Sequence, residues 1–243
     1  MAATEHRLIA EQAQPYEQSA RFESGFVPRA VVDPQALTFS VLRPRNAGPI
    51  DLPLLGSAYE CWKEVWHETL REVDGVDQVP SDEFTRQDEI GALFHGWECI
   101  GLMGYRHVDL GAAMFQDDSY FKVWSPAARR AACVQGSRLF IASNLTVSSP
   151  WRRAVGHSVK ELLLALALER FLETDADAAI GTTRNDRGMN GLGYRLGFRP
   201  LERDVVHHGL GGDLVAFFRS AGKRPPLAPE TEALIQTLVP RPA

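Results

Sequence analysis

The sequence WRRAVGHS at residues 151–158 decides the interpretation of this chain, because it lies between a strand-like run and a helix-like run. The apolar run at 139–147 predicts a strand, and the Leu- and Ala-rich run at 159–173 predicts a largely buried helix. A helix that begins here leaves its first N–H groups unpaired, and its dipole favours negative charge at that end. The stretch between them is therefore a candidate polyphosphate-binding turn.

The side chains of this turn favour the same kind of ligand. Two arginines contribute positive charge, and a glycine lets a ligand approach the backbone without meeting a Cβ. The residues predicted to bind a diphosphate are Arg152, Arg153, Ala154, Val155, Gly156, His157 and Ser158. The alternative is a plain helix entry with two solvated arginines, in which His157 is a surface residue or a neighbour of the helix cap.

Arg153, Gly156 and Ser158 form an RxxGxS arrangement that resembles the Q/RxxGxG/A acyl-CoA-binding segment of the GCN5-related N-acetyltransferase (GNAT) superfamily. Ser158 stands where that family has Gly or Ala. A second segment, residues 178–201, resembles the strand, the helix and the closing Gly-Phe pair that follow in the family. The resemblance implies an α/β fold with a mixed, centrally splayed sheet and helices on both faces.

The resemblance also implies a donor site. In the family, the strand before the turn pairs with the pantetheine arm of acyl-CoA, which here involves Leu145, Thr146 and Val147, and an amide near Val147 polarises the thioester carbonyl. Asn185 resembles the asparagine that contacts pantetheine, and Tyr194 the tyrosine that protonates the leaving thiolate, each one residue out of the usual register. A half-buried packing role for Tyr194 is the alternative.

A general base for an incoming amine would come from the opposite side of the splayed sheet. His107, at the end of a predicted hairpin strand, and Asn144, on the strand before the turn, are the candidates, and a structural role for His107 is the alternative. Glu60, Glu64 and Glu68 recur at helical spacing, which predicts one solvated acidic face.

Hydrophobic periodicity predicts the remaining elements. An amphipathic helix spans 54–73 with Asp51 as its cap. The predicted strands are 37–42, 89–95, 99–108, 137–147, 177–183, 201–207 and 213–220, and a short glycine-containing helix spans 187–196. Residues 109–136 form an inserted helix or a substrate-side loop. We divide the chain into an arm (1–33), one acyltransferase-like domain (34–222) and a proline-rich tail (223–243).

Composition excludes several classes of function. A net charge of −5 over 243 residues argues against nucleic acid as a partner. The three cysteines are far apart and lack metal-ligand spacing, so neither a disulfide framework nor a metal site is predicted. No run approaches the roughly 20 apolar residues of a membrane span, and the first residues are too charged for a signal peptide. A cytoplasmic location is predicted.

The resemblance thus implies an N-acyltransferase that takes acetyl-CoA or a longer acyl-CoA as donor, needs no metal, and acylates a small-molecule or peptide amine. The first helix, the loop DEFTRQDE (82–89) and the segment 109–136 resemble in layout the autoinducer-synthase and N-acyl amino acid synthase branch. That branch implies acyl carrier protein as an alternative donor partner. A noncatalytic acyl-CoA-binding regulatory module is the alternative from a different class. The acceptor, the acyl chain length and the oligomeric state stay open.

Overall fold

The computed structural model of this protein describes residues 29–75, 78–207 and 209–239. The strands are β1 (Leu37–Leu42), β2 (Glu89–His95), β3 (Glu98–Asp109), β4 (Arg138–Val147), β5 (Ala178–Arg184), β6 (Arg199–His207) and β7 (Leu210–Phe218). They form one sheet in the order β1-β2-β3-β4-β5-β7-β6. Within the described ranges, β4 and β5 pair in parallel and the other neighbours pair antiparallel.

Helices cover both faces of this sheet, as the sequence predicted. They are α1 (Leu52–Asp74), α2 (Asp82–Thr85), α3 (Ala113–Gln116), α4 (Pro126–Ala132), α5 (Val159–Glu173), α6 (Met189–Arg195) and α7 (Pro229–Leu238). The first four and their connections pack on one face, and α5, α6 and α7 pack on the other. The predicted mixed α/β architecture is confirmed.

The sheet opens between its two parallel strands. Pairing of β4 with β5 is limited to Leu139–Ile141 opposite Ala178–Ile180. Beyond those pairs β4 runs on to Val147 and β5 to Arg184 without pairing to each other. We call the space between residues 142–147 and 181–184 the β4–β5 gap, and it is the splay that the sequence resemblance implied.

Helix α5 holds the two halves of the core together. Leu162 and Leu163 belong to an apolar cluster with β2, β3 and α7, whereas Leu168 and Phe171 belong to a second cluster with β5, β7 and α6. The bounds and the burial of this helix match the prediction. Truncating one such leucine to Ala typically destabilises a protein by about 2–5 kcal/mol. Because both clusters hold α5 in place, the start of this helix fixes the position at which the preceding turn ends.

Two predicted features of the first half can be compared with the structure. Asp51 is the N-cap residue of α1, as predicted, and its carbonyl oxygen accepts from the Leu55 amide at 2.8 Å, but its side chain makes no capping bond. The segment 109–136 is an insertion containing α3 and α4. Phe121, Trp124 and Ala128 bury against the sheet, so this insertion covers the core.

The end of the chain also differs from its predicted layout. Gly211 and Gly212 lie in β7, which begins at Leu210 and not at residue 213 as predicted. A Cβ on Gly212 would clash with the carbonyl oxygen of Thr183, so close approach of β7 to β5 requires glycine there. The predicted tail contains α7, whose Leu234 and Ile235 pack into the core beside α5. Most of the predicted arm, residues 1–28, lies outside the described residues.

The cysteines, the metal-ligand side chains and the helix lengths can be compared with the predictions from composition. Cys61 and Cys99 are buried thiols, and Cys133 is a half-buried one. Within the described ranges, no three side chains from His, Cys, Asp and Glu are arranged to hold a metal ion. No helix in those ranges combines the length and apolar character needed to cross a membrane.

Candidate functional site

A β-bulge lies where β4 leaves β5. Opposite the single residue Met103 of β3, β4 has two residues, Asn144 and Leu145. Asn144 has a φ of 54°, a left-handed conformation that Asn tolerates better than most residues. A bulge bends its strand and re-aims the backbone beside it, so the edge of β4 changes direction at the start of the β4–β5 gap.

Backbone groups of β4 line this gap. The carbonyl oxygen of Thr146 lies 2.8 Å from the position that a Cβ on Gly101 of β3 would take, and the amide of Ser148 donates to a β3 carbonyl oxygen at 3.1 Å. Because alternate residues of a strand direct their N–H and C=O groups to opposite edges, the backbone groups of Val147 face the gap. The carbonyl oxygen of Leu145 shares a peptide group with the Thr146 amide and points to the opposite edge from it, so it faces the gap as well. These are two of the three predicted pantetheine contacts.

Thr146, the third predicted contact, serves a different purpose. Its side chain is fully buried, accepts a hydrogen bond from Trp66 Nε1 at 3.0 Å and donates to the carbonyl oxygen of Asn144 at 2.8 Å. Because its backbone faces β3, Thr146 offers the gap neither main-chain group. Its role is to fasten α1 and the bulge to β4.

The turn at 151–158 is partly engaged by other parts of the protein. The amide of Val155 donates to the carbonyl oxygen of Ala30 at 2.9 Å, and the carbonyl oxygen of Val155 accepts from the amide of Val32 at 3.1 Å. The amide of Ala154 donates to the carbonyl oxygen of Trp151 at 3.3 Å. The prediction that Val155 offers its amide to a phosphate is therefore wrong in this structure.

The second half of the turn is open. Gly156 has a φ of 98°, which only glycine adopts readily, and the chain then enters α5 at Val159. No hydrogen bond within the described residues engages the amides of Gly156, His157 and Ser158. The ring of His157 lies 3.4 Å from Thr231 Oγ1 of α7. A short run of free N–H groups at a helix start is a favourable place for an anion.

The two arginines of the turn differ. Arg152 donates from Nε to the carbonyl oxygen of Val147 at 3.2 Å and pairs with Glu68 of α1 at 3.0 Å. Arg153 is exposed and has no ion pair with a described residue. The other two glutamates of the acidic face of α1 are exposed, as predicted. Arg153 is thus the cation of this turn that remains for a ligand.

Side chains on the other side of the gap converge on a carboxylate that the sequence analysis missed. Asp213 of β7 is only 3% exposed. It accepts hydrogen bonds from the Tyr194 hydroxyl, from Asn185 Nδ2 at 3.1 Å, from Asn190 Nδ2 at 3.3 Å and from the Asp204 amide at 3.0 Å. Burial raises the pKa of Asp213, but these bonds outweigh it and lower the pKa to about 2. A lone carboxylate directly before the apolar run LVAFF (214–218) was the available signal.

This arrangement defines what Tyr194 and Asn185 offer. The Tyr194 proton points to Asp213, and burial together with that bond raises the pKa of Tyr194 to about 12. The hydroxyl is therefore held as a donor to the carboxylate and away from a leaving thiolate. Asn185 Oδ1, in contrast, is a buried acceptor that has no hydrogen-bond partner among the described residues, and a buried polar atom normally has one.

His107 lies at the closed end of the sheet. It pairs with Phe140, within the segment where β4 and β5 are still joined, and its Nε2 is 3.9 Å from Glu89 Oε2. Arg170 binds the same carboxylate through two bonds of 2.9 and 2.8 Å. Burial alone would raise the pKa of Glu89, but its bonds to His107 and Arg170 outweigh this effect and hold the pKa well below the usual range. The structure thus places His107 in an ion-pair network and not at the gap.

Asn144, the other predicted base candidate, lies at the bulge. Its Nδ2 donates to the carbonyl oxygen of Glu83 at 3.4 Å. A side-chain amide is a hydrogen-bonding group that does not take up protons as an imidazole or carboxylate does. Its position and its left-handed backbone therefore favour a role in shaping β4.

No protein-family model matches this sequence, and no curated protein matches it. Solved structures share the fold. The arylalkylamine N-acetyltransferase-like protein 5b of mosquito aligns over 75% of this chain and 99% of its own, with 12% identity and a TM-score of 0.56. The AHL synthase LasI aligns over 85% and 98%, with 13% identity and a TM-score of 0.51. FeeM, an N-acyl amino acid synthase from uncultured soil microbes, aligns over 75% and 89%, with 16% identity and a TM-score of 0.50. This chain has the GNAT fold that its turn and its second segment resembled.

Proposed function

We propose that this protein is an N-acyltransferase that moves an acyl group from a pantetheine thioester, in the simplest case acyl-CoA, to a primary amine. The observation that carries the proposal is the β4–β5 gap with a bulge at its start. Leu145 and Val147 present backbone groups along this gap, and an extended ligand bearing amides pairs naturally with such a strand edge. The solved structures of the same fold include a CoA-dependent acyl-homoserine lactone synthase, which supports a donor of this class.

The donor contacts follow from the groups left open. The amides of Gly156, His157 and Ser158 bind the diphosphate at the start of α5, and Arg153 adds charge. Asn185 Oδ1 accepts a hydrogen bond from a pantetheine amide. These contacts lie on both sides of the gap, so a bound donor spans it from the turn towards the bulge.

The reaction requires few protein groups. The amine nitrogen attacks the thioester carbonyl carbon, a C–N bond forms, and the C–S bond breaks as the electron pair leaves with sulfur. The nitrogen loses a proton and the thiolate sulfur gains one, so the products are an amide and a free thiol. The amide N–H of Val147, which faces the gap, polarises the thioester oxygen. One well-placed donor of this kind is worth roughly 10²–10³ in rate.

Calorimetric binding of CoA and the release of free thiol from acyl-CoA with a panel of amines test this proposal. We expect Arg153→Ala to weaken CoA binding about tenfold, since it removes a charge-assisted contact. Arg130→Ala is the matched control, because Arg130 is an exposed arginine of α4 remote from the turn. A wild-type chain that binds neither CoA nor acyl-CoA contradicts the proposal.

A donor carried by acyl carrier protein is the finer alternative. Such a donor lacks the adenosine 3′-phosphate, so it depends less on Arg153 than CoA does. Rates of Arg153→Ala with both donors, each relative to wild type, separate the two. Equal losses with both donors contradict a role for Arg153 in binding the nucleotide portion.

A noncatalytic acyl-CoA-binding regulatory module is the second candidate. The observation that favours it is the Tyr194 hydroxyl, which donates to Asp213 and not into the gap. Acyl-CoA binding without thiol release across the amine panel supports this module, and turnover with any amine excludes it.

A further inference from the structure

The short segment Ala30–Val32, before β1, lies alongside the candidate diphosphate turn, and we call it the bridge segment. Val31 and Val155 form a parallel β-bridge. In that bridge the carbonyl oxygen of Ala30 and the amide of Val32 take both backbone groups of Val155. The bridge joins residues distant in sequence, and it ends one residue before the open amides begin.

Packing fixes the bridge segment in place. Val32 is 4% exposed and packs in the apolar cluster that contains Val159, at the start of α5, and Leu234 of α7. Val31, between the two bonding residues, is 64% exposed and has its side chain in solvent. The anchor is therefore the Val32 side chain, and the same residue donates the N–H to Val155.

The bridge lies directly before the open amides of the turn and sets the direction from which the chain reaches them. Val155 directly precedes Gly156, whose φ of 98° sends the chain towards α5. Because both backbone groups of Val155 are held, the direction from which the chain enters Gly156 is set. The orientation of the next amides, at Gly156, His157 and Ser158, depends on that entry.

The bridge segment lies near the β4 side of the gap. Val32 belongs to the apolar cluster that contains Leu37 of β1 and residues of α7, and Leu145 and Val147 of β4 pack against the same cluster. The residues of β5, β7 and α6 on the other side of the gap belong to another cluster. The bridge segment therefore supports the turn together with the β4 side of the gap.

We propose that the bridge segment is a positioning element of the donor site, which holds the turn so that its open amides point together at the diphosphate. This inference rests on the proposed function. A preorganised set of donors binds an anion more tightly than a mobile set, because less freedom is lost on binding. Removing the bridge should therefore weaken the diphosphate contact and leave the pantetheine contacts intact.

Three substitutions in the full chain separate this role from simple packing. Val32→Pro removes the N–H that donates to Val155. Val32→Ala keeps that N–H and shortens the buried side chain, so it reports the packing loss alone. Val31→Pro is the matched control, because the proline then stands at an exposed residue whose own N–H takes no part in the bridge.

The measurements are the affinities for CoA and for pantetheine, which lacks the diphosphate, together with hydrogen exchange of the amides at 153–158. We expect Val32→Pro to weaken CoA binding about fivefold to tenfold, to leave pantetheine binding unchanged and to speed exchange in the turn. Val31→Pro should bind CoA nearly as wild type does, and Val32→Ala should lose less CoA affinity than Val32→Pro because it keeps the N–H that donates to Val155.

Wild-type affinity for CoA in Val32→Pro overturns the inference, and so does an equal loss of CoA and pantetheine binding. Unchanged exchange in the turn of Val32→Pro overturns it without any ligand. A wild-type chain that does not bind CoA at all removes the proposed function and this inference with it. Failure of the bridge alone is therefore distinguishable from failure of the function.

Discussion

The two sides of the β4–β5 gap are built from different parts of the polypeptide. On the β4 side the exposed groups belong to the backbone, at Leu145, at Val147 and in the turn that leads to α5. On the β5 side they belong to side chains, gathered around the buried carboxylate of Asp213. The polar groups of the β4 side are therefore placed by the path of the backbone, and those of the β5 side are placed by contacts between particular side chains.

This difference affects how each side tolerates change. Side-chain substitutions on the β4 side leave its N–H and C=O groups in place, unless they move the strand itself. On the β5 side a single substitution at Asp213 removes the acceptor for several donors at once.

The largest effect is expected for Asp213→Ala. It leaves the Tyr194, Asn185 and Asn190 donors without their acceptor in a buried site, so the free energy of unfolding should fall by about 3 kcal/mol or more. Asp213→Asn is the matched variant, because it keeps the shape of the side chain and removes its charge. Its free energy of unfolding should fall by less than that of Asp213→Ala. Urea unfolding at neutral pH measures both. Unfolding free energies equal to wild type would show that the carboxylate does not organise this side.

The same carboxylate predicts a dependence on pH. The folded pKa of about 2 is below the ordinary value of 3.8, so the stabilisation is complete above about pH 4 and is lost as the pH falls towards 2. The stability gap between wild type and Asp213→Asn should narrow over that interval.

Gly101→Ala is expected to have the next largest effect, on the β4 side. Its Cβ would lie 2.8 Å from the Thr146 carbonyl oxygen and 2.9 Å from a methyl carbon of Leu163. Overpacking of this kind destabilises by about 1–3 kcal/mol, and relief of the clash moves β4, so CoA affinity should fall as well. Gly91→Ala is the control, since its Cβ would clash with the Tyr105 side chain at another point of the same β2–β3 hairpin. If both variants lose stability and both keep CoA affinity, the position of β4 does not control the donor site.

Tyr194→Phe should have a moderate effect. Loss of the hydroxyl bond to Asp213 should lower the free energy of unfolding by about 1 kcal/mol, and turnover should change less than about tenfold, because the proton is held by the carboxylate. Since the pKa of Tyr194 is raised from 10 to about 12, the contribution of this bond is present below about pH 10 and is lost as the pH rises towards 12. A large fall in turnover at unchanged stability would restore the predicted acid role.

His107→Ala should have the smallest effect. The side chain is 38% exposed and lies 3.9 Å from Glu89 at the closed end of the sheet, so we expect a loss of less than about 1 kcal/mol. Binding of CoA and turnover should stay at wild-type levels. A strong fall in turnover in this variant would place His107 in the proton pathway after all.

The elements that the sequence predicted well are those with local patterns. The bounds of β1, β2 and α5 match their predictions, because apolar alternation and a continuous Leu and Ala run are properties of neighbouring residues. The turn before α5 was found for the same reason. Its two arginines looked equivalent in sequence, yet only the structure shows that Arg152 is held by Glu68.

The features that the sequence missed depend on distant partners. The bulge at Asn144 exists because β3 has one residue fewer at that point, and no local pattern states the length of a partner strand. Asp213 receives donors from α6 and from the loop before it, and Val155 receives the bridge segment. Such long-range contacts are set by the topology of the fold, which the periodicity of the sequence does not encode.

The short parallel pairing of β4 with β5 has a consequence for the order of folding. β1 to β4 form a meander of antiparallel neighbours, whereas β5 reaches β4 only after α5 has formed the crossover. Formation of a non-local parallel strand pair is slow, because the long connection loses conformational entropy before the strand contacts form and compensate this loss. We therefore expect Leu139–Ile141 to pair with Ala178–Ile180 late, with low φ-values for Ala178–Ile180, so that the cleft is completed as one of the final steps of folding.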